Sequence, residues 1–291
     1  MKKEKLPPFS AEIILRPRSA WLSFDWNEFF QYQDLLWLLV RRDIVARYKQ
    51  TFFGRSWFVL QPLLMTIVFT VVFGGGVGIS TDGAPRILFY LCGLLPWIYF
   101  SESLLSASSA LLSNADMFRK IYFPRLIVPI ATVLSRLFGF AVHFGILIAV
   151  YAYYKFFTVS GQSLFFGRFW WLLPLAFCQT LVLSLAMGLW VSALSVKRRD
   201  LQHAAPFLIQ IWMYVSPVIY PVSLVSAQWH AAYRLNPMTW VIELYRHAFL
   251  GTPSLVINAG WIVTSLLISF FLLIGGFAAF NGIQRTLVDA L

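Results

Sequence analysis

The sequence contains six long apolar stretches, separated by short segments that carry most of its charged residues. An α-helix needs about 20 apolar residues to cross the hydrocarbon core of a bilayer, and these stretches reach or approach that length. They predict an all-α, polytopic membrane protein with six transmembrane helices, at residues 57–79, 87–112, 127–154, 169–196, 204–222 and 257–280.

The distribution of basic residues predicts how these helices are oriented. Seventeen Lys and Arg residues fall before the first stretch, after the second, after the fourth and at the C-terminus, whereas five fall on the opposite side. Cytoplasmic segments of membrane proteins are enriched in Lys and Arg, so both termini are predicted to be cytoplasmic. The start of the chain lacks the apolar run of a signal peptide, and the first span is expected to act as its own insertion signal.

Two segments depart from the spanning pattern. Residues 27–50 place polar side chains roughly on one helical face and apolar ones on another, although Leu38 and Val45 interrupt the polar face. This pattern predicts an amphipathic helix lying in the inner membrane interface, with a soluble cytoplasmic helix as the alternative. Residues 223–256 are rich in aromatic side chains, which predicts a re-entrant or lid-like periplasmic helical hairpin between spans five and six rather than a plain loop.

These patterns divide the chain into four parts, and its composition fits lipid as the main solvent. The parts are a cytoplasmic tail at 1–26, the interface helix at 27–56, a transmembrane domain at 57–280 and a cytoplasmic tail at 281–291. Hydrophobic residues make up 59% and charged residues 12%, against roughly 25% charged in soluble domains. The net charge of +11 is explained by orientation, and no binding of nucleic acid is expected. Cys92 and Cys178 are predicted to be small core residues, with no disulfide and no metal site.

The sequence lacks the motifs that would let this chain hydrolyse a nucleotide or act as an enzyme. None of its seven lysines is followed by Ser or Thr, so the phosphate-binding loop GxxxxGK[ST] is absent. The patterns HExxH, CxxC and GxSxG are absent as well. No cofactor is therefore expected on this chain.

Two charged residues, Glu102 and Arg136, lie inside predicted spans, where such residues are candidates for function. Glu102 and Arg136 fall at a matched depth on consecutive antiparallel spans, roughly 14–15 Å from their cytoplasmic ends at a rise of 1.5 Å per residue. This placement predicts an ion pair, because a partner lowers the cost of burying either charge. A proton relay that also uses His143 is the alternative.

Aromatic residues in and near the spans have two interpretations. They form either an interfacial belt or a surface on which sugar rings of a glycan stack. The candidates for lining a glycan path are Trp57, Trp97, Tyr99, Trp212, Tyr214 and Tyr220. The glycines at 74–76 and 78 predict either a close-packing face or a flexible exit from the first span.

The segment 114–125 combines charged with large apolar side chains, which a simple hairpin connection does not need. This mixture favours a docking site for a partner protein. Its candidate residues are Met117, Phe118, Arg119, Lys120, Tyr122, Phe123 and Arg125.

Together these features resemble the ABC-2 type permease family, and within it the exporters of polysaccharide and polyol phosphate. The resemblance is carried by LVRRD at 39–43 with RYK at 47–49, FGRSW at 53–57, QP at 61–62, GLLPW at 93–97, RKIYFPR at 119–125, RD at 199–200 with Trp212 and SPVIY at 216–220, and LNPM at 235–238 with ELYR at 243–246. It covers about residues 30 to 285.

The resemblance implies a permease of the bacterial inner membrane that exports an O-antigen-like polysaccharide linked to undecaprenyl diphosphate. It further implies a homodimer with two copies of a separate ATP-binding cassette subunit, which binds ATP and Mg and contacts the 119–125 segment. The interface helix would use Arg41, Arg42, Asp43, Arg47 and Tyr48. The outer gate would use Asn236, Pro237, Glu243, Tyr245 and Arg246.

Three rival functions stay open. An ABC-2 permease could instead move capsule polymer, teichoic acid, a drug or a lipid. An ion-coupled secondary transporter would need several intramembrane acids and broken helices, whereas one Glu lies within the spans. A membrane-bound glycosyltransferase would need carboxylates at the membrane surface that the sequence does not offer.

Overall fold

The computed structural model describes residues 26–48, 56–120, 123–158, 164, 166–198, 200–252 and 256–290. Within these residues the regular structure is helical and contains no strand, as the sequence predicts. The α-helices are α1 (Trp26–Gln31), α2 (Gln33–Tyr48), α3 (Trp57–Phe69), α4 (Arg86–Ser113), α5 (Ala115–Lys120), α6 (Ile127–Ser135), α7 (Leu137–Phe157), α8 (Leu173–Lys197), α9 (Asp200–Val215), α10 (His230–Leu235), α11 (Pro237–Leu250) and α12 (Ala259–Ala290), and a π-helix over Thr70–Gly76 continues α3.

Five helical stretches among the described residues are long and apolar enough to cross a membrane. They coincide with the first, second, third, fourth and sixth predicted spans, and they run over Val59–Gly76, Arg86–Ser113, Ile127–Phe157, Trp170–Val196 and Ala259–Ile283. Their exposed side chains are largely apolar, as expected for helices solvated by lipid. The chain is thus built as a multi-pass membrane protein.

The predicted fifth span differs from the other five because its helix is short. Helix α9 has 16 residues and ends at Val215, whereas the sequence predicted a span at 204–222. Pro217 accounts for this end, since a proline disfavours the helical conformation in the residue before it. Six crossings therefore remain a prediction, as do the membrane depth of α2 and of the α10–α11 hairpin.

The third span is two helices rather than one continuous helix. Helix α6 ends at Ser135 and α7 begins at Leu137, so that Arg136 lies in the turn between them. The Thr132 hydroxyl donates to the Pro129 carbonyl at 2.8 Å, and the Ser135 hydroxyl donates to the Thr132 carbonyl at 2.8 Å. Such back-bonding of Ser and Thr competes with the backbone ladder and bends helices, which explains a break that hydrophobicity alone does not reveal.

Helix α4 lies at the centre of the bundle, where α3, α6, α7, α8, α9 and α11 pack around it. Small residues set the closest approaches: a Cβ added at Gly188 of α8 would lie 2.5 Å from the Ala107 Cβ of α4. Likewise, a Cβ at Gly276 of α12 would lie 2.6 Å from the Ala186 carbonyl oxygen of α8. Close backbone approach at small residues is the usual way in which membrane helices associate.

The two ends of the bundle are distinct. At one end, hereafter the α5 end, α4 leads into α5, and the last parts of α8 and α12 meet it around Leu111, Leu189 and Phe280. Helices α10 and α11 lie at the opposite end, hereafter the α11 end. Helix α2 packs along α6, with Leu36, Leu39 and Val40 buried among Ala110, Phe123, Ile127, Val128 and Ala131.

Two predictions about individual residues are resolved by the packing. Gly74 fits the close-packing alternative, because a Cβ there would lie 2.9 Å from the Arg86 Cδ, whereas Gly78 has a φ of +75° in the segment that follows the first span. Cys92 is buried as predicted, but Cys178 is exposed, so its assignment to the core is wrong. An apolar stretch does not show which face of a membrane helix meets lipid.

We predict that Gly188→Ala lowers the stability of the protein, because the added methyl group must push α4 and α8 apart. Overpacking of this kind costs about 1–3 kcal/mol. Gly145→Ala is the matched control, since a Cβ at Gly145 meets nothing within 4 Å. Thermal unfolding of the detergent-solubilised variants measures the effect, and equal midpoints for the two variants would contradict the packing described.

Candidate functional site

A cluster of three charged side chains joins the α2 helix to the bundle. The Glu102 Oε2 atom accepts hydrogen bonds from Arg136 Nη1 at 2.8 Å and from Arg47 Nη1 at 3.2 Å. The structure thus brings together Glu102 and Arg136, which the sequence analysis paired, and adds Arg47 from the interface segment. The Arg136 guanidinium also donates to the Ser106 hydroxyl. The comparison of depths within the predicted spans could not identify Arg47 as a partner of Glu102, because Arg47 lies outside those spans.

This cluster forms part of the wall of a cavity of about 410 Å³. Its volume falls in the range of roughly 300–1,000 Å³ that is typical of sites for small ligands. The lining comes from α2, α3, α4, α6, the turn at 136 and α7, and comprises Asp43, Ile44, Arg47, Trp57, Gln61, Glu102, Ser135, Arg136, Gly139 and His143. The break between α6 and α7 allows Arg136 to reach this space from a turn.

Helix α2 is held at a second point by Arg42. Its Nη2 atom donates to the Asp43 carboxylate at 2.9 Å and to the Asn114 side-chain carbonyl at 3.1 Å, at the corner between α4 and α5. Arg41 is exposed, and the backbone of Tyr48 ends the helix. Trp37, Leu38 and Val45 are exposed on the face that does not pack on α6. The two residues that interrupted the predicted polar face therefore do not enter the core.

The predicted docking segment uses its apolar side chains mainly for internal packing. Phe123 is buried in the packing of α2 on α6, and Met117 and Phe118 contact the same cluster. The Phe118 and Phe123 ring centroids lie 5.4 Å apart, and the Arg125 guanidinium lies 5.8 Å from the Phe118 ring. Asp116 and Lys120 are exposed on α5, whereas Tyr122 and the Arg119 side chain lie outside the described part.

Asn236 joins the end of α9 to the start of α11. Its side-chain oxygen accepts from the Met238 backbone N–H at 3.1 Å and from Trp212 Nε1 at 3.1 Å, and its Nδ2 donates to the Ser216 hydroxyl at 2.8 Å. Asn at the N-cap with Pro237 at the next position is a favourable way to begin a helix. A residue predicted for the outer gate is thus a connector between two helices.

Arg246 is the most deeply buried charge at the α11 end, with a side chain that is 1% exposed. Its Nη1 atom donates to Glu243 at 2.9 Å and to the Tyr220 carbonyl at 3.1 Å, and its Nη2 donates to the Val218 carbonyl at 2.7 Å. The guanidinium also lies 3.7 Å from the Phe89 ring centroid. Burial lowers the pKa of Arg246, while the Glu243 carboxylate opposes that shift by favouring the charged form.

The structure separates the candidate glycan-lining aromatics into three groups, which are buried, partly buried and exposed. Trp97 and Tyr99 are buried within the chain, as is the proposed gate residue Tyr245, so they offer no ring face for stacking. Trp212 packs edge-on against Phe100, and the Tyr220 hydroxyl lies 2.5 Å from that of Tyr233. Trp57 and Tyr214 are exposed. Aromatic content alone could not distinguish these environments.

We predict that Arg246→Met destabilises the protein by about 3–5 kcal/mol, because it leaves the Glu243 carboxylate buried without this cation. Adding Glu243→Gln should restore part of the loss by removing the buried charge. Arg234→Met is the control, since Arg234 is exposed and an exposed polar contact is worth at most about 1 kcal/mol. Unfolding midpoints in detergent measure these effects; equal losses for Arg246→Met and Arg234→Met would refute the role of Arg246.

Comparison with known proteins places this architecture in a family. The sequence profile of the ABC-2 type transporter matches residues 34–250. The O-antigen export system permease protein RfbA of Myxococcus xanthus is 30% identical over 226 residues, which is 77% of this chain and 83% of that protein. An RfbA of Klebsiella pneumoniae is 25% identical over 258 residues, covering 89% and 95% of the two chains.

A relative that transports a different polymer is also similar. The polysialic acid transport protein KpsM of Escherichia coli is 22% identical over 240 residues, covering 80% of this chain and 88% of that protein. The family match spans most of the described helices, from α2 to the end of α11. This chain belongs to the ABC-2 type transporter family.

Proposed function

We propose that this chain is the permease subunit of an exporter that moves an O-antigen-like polysaccharide, linked to undecaprenyl diphosphate, from the cytoplasm to the periplasm. The similarity to O-antigen export permeases over most of both chains carries this proposal. The absence of a phosphate-binding loop from the sequence supports an energy source on another subunit. ATP and Mg would accordingly bind to an ATP-binding cassette partner, present in two copies on a homodimer of this chain.

In the proposed orientation the α5 end faces the cytoplasm, with both termini on that side. The excess of Lys and Arg in the segments at this end supports it. Helix α9 would then be the fifth crossing, although its 16 residues span only about 24 Å of a core that is about 30 Å thick. The irregular residues after Val215 would complete it, and the Arg246 bonds to the Val218 and Tyr220 carbonyls meet the need for internal hydrogen bonding there.

Coupling to the partner would begin at α5 and at α2. The Arg42–Asn114 hydrogen bond and the burial of Phe123 fasten α2 to the α4–α5 corner. The Arg47–Glu102 contact fastens the same helix to the middle of the bundle. A push on α5 would therefore move α2 with it and reach α4 through these contacts.

Export of a capsular polysaccharide is the second candidate, favoured by the similarity to KpsM over 80% of this chain. Deleting the gene and analysing the surface glycan distinguishes the two candidates by the polymer that is lost. The proposal expects lipid-linked polymer to accumulate in the cytoplasm. An unchanged surface glycan, or transport by the isolated chain driven by an ion gradient alone, would contradict it.

We predict that Asp116→Ala combined with Lys120→Ala reduces co-purification with a co-expressed ATP-binding subunit while the protein still inserts. Both side chains are exposed on α5, so the change should alter stability by less than about 0.5 kcal/mol. Arg168→Ala, an exposed residue at the α11 end, is the control. Unchanged recovery of the subunit with the double variant would exclude α5 as a docking element.

A further inference from the structure

We propose that the cavity between α2 and the bundle binds the phosphate group of a membrane lipid, with Arg47 and Arg136 as its principal ligands. The site is argued from the charge, the hydrogen-bond donors and the surroundings of the cavity. The ligand chemistry is a phosphate ester on an apolar chain, either the phosphodiester of a bulk phospholipid or the diphosphate of a polyprenyl carrier. Its connection to cargo rests on the proposed function, whereas the site itself does not.

The charge around the cavity favours an anion. Two carboxylates line the wall among the described residues, Glu102 and Asp43. Asp43 is paired with Arg42, which lies outside the cavity lining. Glu102 is shared by two guanidinium groups, so Arg47, Arg136 and Glu102 together carry one uncompensated positive charge.

Both arginines keep donors beyond those used by Glu102. Arg47 bonds through Nη1 alone within the described part of the chain, and Arg136 Nε is buried without a partner there. A guanidinium has five N–H donors in a fork that suits phosphate oxygens, and buried donors left unused carry a free-energy cost. A phosphate in the cavity would accept from the unused Nε and Nη2 groups of Arg47 and lie beside the positive charge of Arg136, whose own Nε is too deeply buried to reach it; the neutral Gln61 and Ser135 are also on the wall.

The surroundings suit an amphipathic ligand. Trp57 lines the cavity at the start of α3, and the same helix exposes Val59, Leu64, Ile67 and Val68 along its length. A headgroup in the cavity would leave its apolar chain free to follow this face. The half-buried arginines, at 29% exposure for Arg47 and 19% for Arg136, are shielded from water yet remain accessible. Partial desolvation of this kind strengthens charged hydrogen bonds.

Binding of farnesyl diphosphate to the full-length, detergent-solubilised chain tests the proposal, with farnesol as the uncharged probe. We expect farnesyl diphosphate to bind and Arg47→Gln to weaken it by about ten-fold or more, as loss of a charge-assisted hydrogen bond predicts. Arg41→Gln is the matched control, because Arg41 is exposed on the same helix and does not line the cavity. Size-exclusion profiles and helical content establish that each variant is folded.

Glu102→Gln provides a test with the opposite sign. Removing the carboxylate frees both guanidinium groups and raises the positive charge of the cavity, so affinity for farnesyl diphosphate should increase several-fold even where stability falls. A cluster that serves only to hold α2 would lose stability in this variant without gaining affinity. That result overturns the proposal, as does binding of farnesyl diphosphate no tighter than that of farnesol, or equal effects of Arg47→Gln and Arg41→Gln.

Competition with lipids identifies the source of the phosphate. Displacement of farnesyl diphosphate by phosphatidylglycerol, but not by diacylglycerol, supports the site and assigns it to bulk phospholipid. Resistance to phosphatidylglycerol supports the site and assigns it to a polyprenyl diphosphate. Since no glycan takes part in the assay, the site can pass this test even if deletion of the gene shows that the exported cargo is something else.

Discussion

The burial of the Arg246 guanidinium is the interaction on which the α11 end depends. In the proposed orientation the residues after Val215 lie at membrane depth, where lipid offers no hydrogen bonds and carbonyl groups must be satisfied from within the protein. Arg246 supplies donors to Val218 and Tyr220 just where α9 has ended, and Glu243 balances its charge. Gly93 makes this possible, because a Cβ there would lie 2.9 Å from Arg246 Nη2. The GLLPW and ELYR segments are thus two halves of one contact.

Side-chain hydrogen bonds also connect α9 to the α10–α11 hairpin. Asn236 bonds both Trp212 and Ser216 while capping α11, so the end of α9 cannot shift without breaking contacts at the start of α11. Further along, Gln179 of α8 accepts from Trp240 at 2.6 Å, and Ser265 of α12 donates to the Pro237 carbonyl at 2.9 Å. Three helices, α8, α9 and α12, are therefore tied to the start of α11 by polar side chains inside an apolar bundle.

Hydrophobic runs predicted most of the fold because lipid imposes a minimum length on any crossing helix. They identified five stretches that the structure also shows as candidate spans, and matched depth paired Glu102 with Arg136. They did not predict where helices break or end, because these positions depend on local hydrogen bonding and on proline. The Thr132 and Ser135 side chains interrupt the third span, and Pro217 shortens the fifth. The exposure of Cys178 and the burial of Trp97 depend on which face of a helix meets its neighbours, and the burial of Phe123 depends on how the segment between α5 and α6 packs against α2. In sequences that are apolar on all faces, periodicity carries little of that information.

The two arginine clusters of this molecule differ in their access to open space, and this difference suggests a structural role for one and a binding role for the other. Arg246 is fully enclosed, with three oxygen acceptors and an aromatic ring around it. Arg47 and Arg136 share one carboxylate, retain unused donors and border an open space of about 410 Å³. A buried charge enclosed by its own acceptors fixes geometry, whereas a charge that borders an open cavity is placed to meet a ligand as well. Since α2 carries Arg47 and is fastened to α5 through Asn114, occupation of the cavity and motion at α5 would act on the same helix.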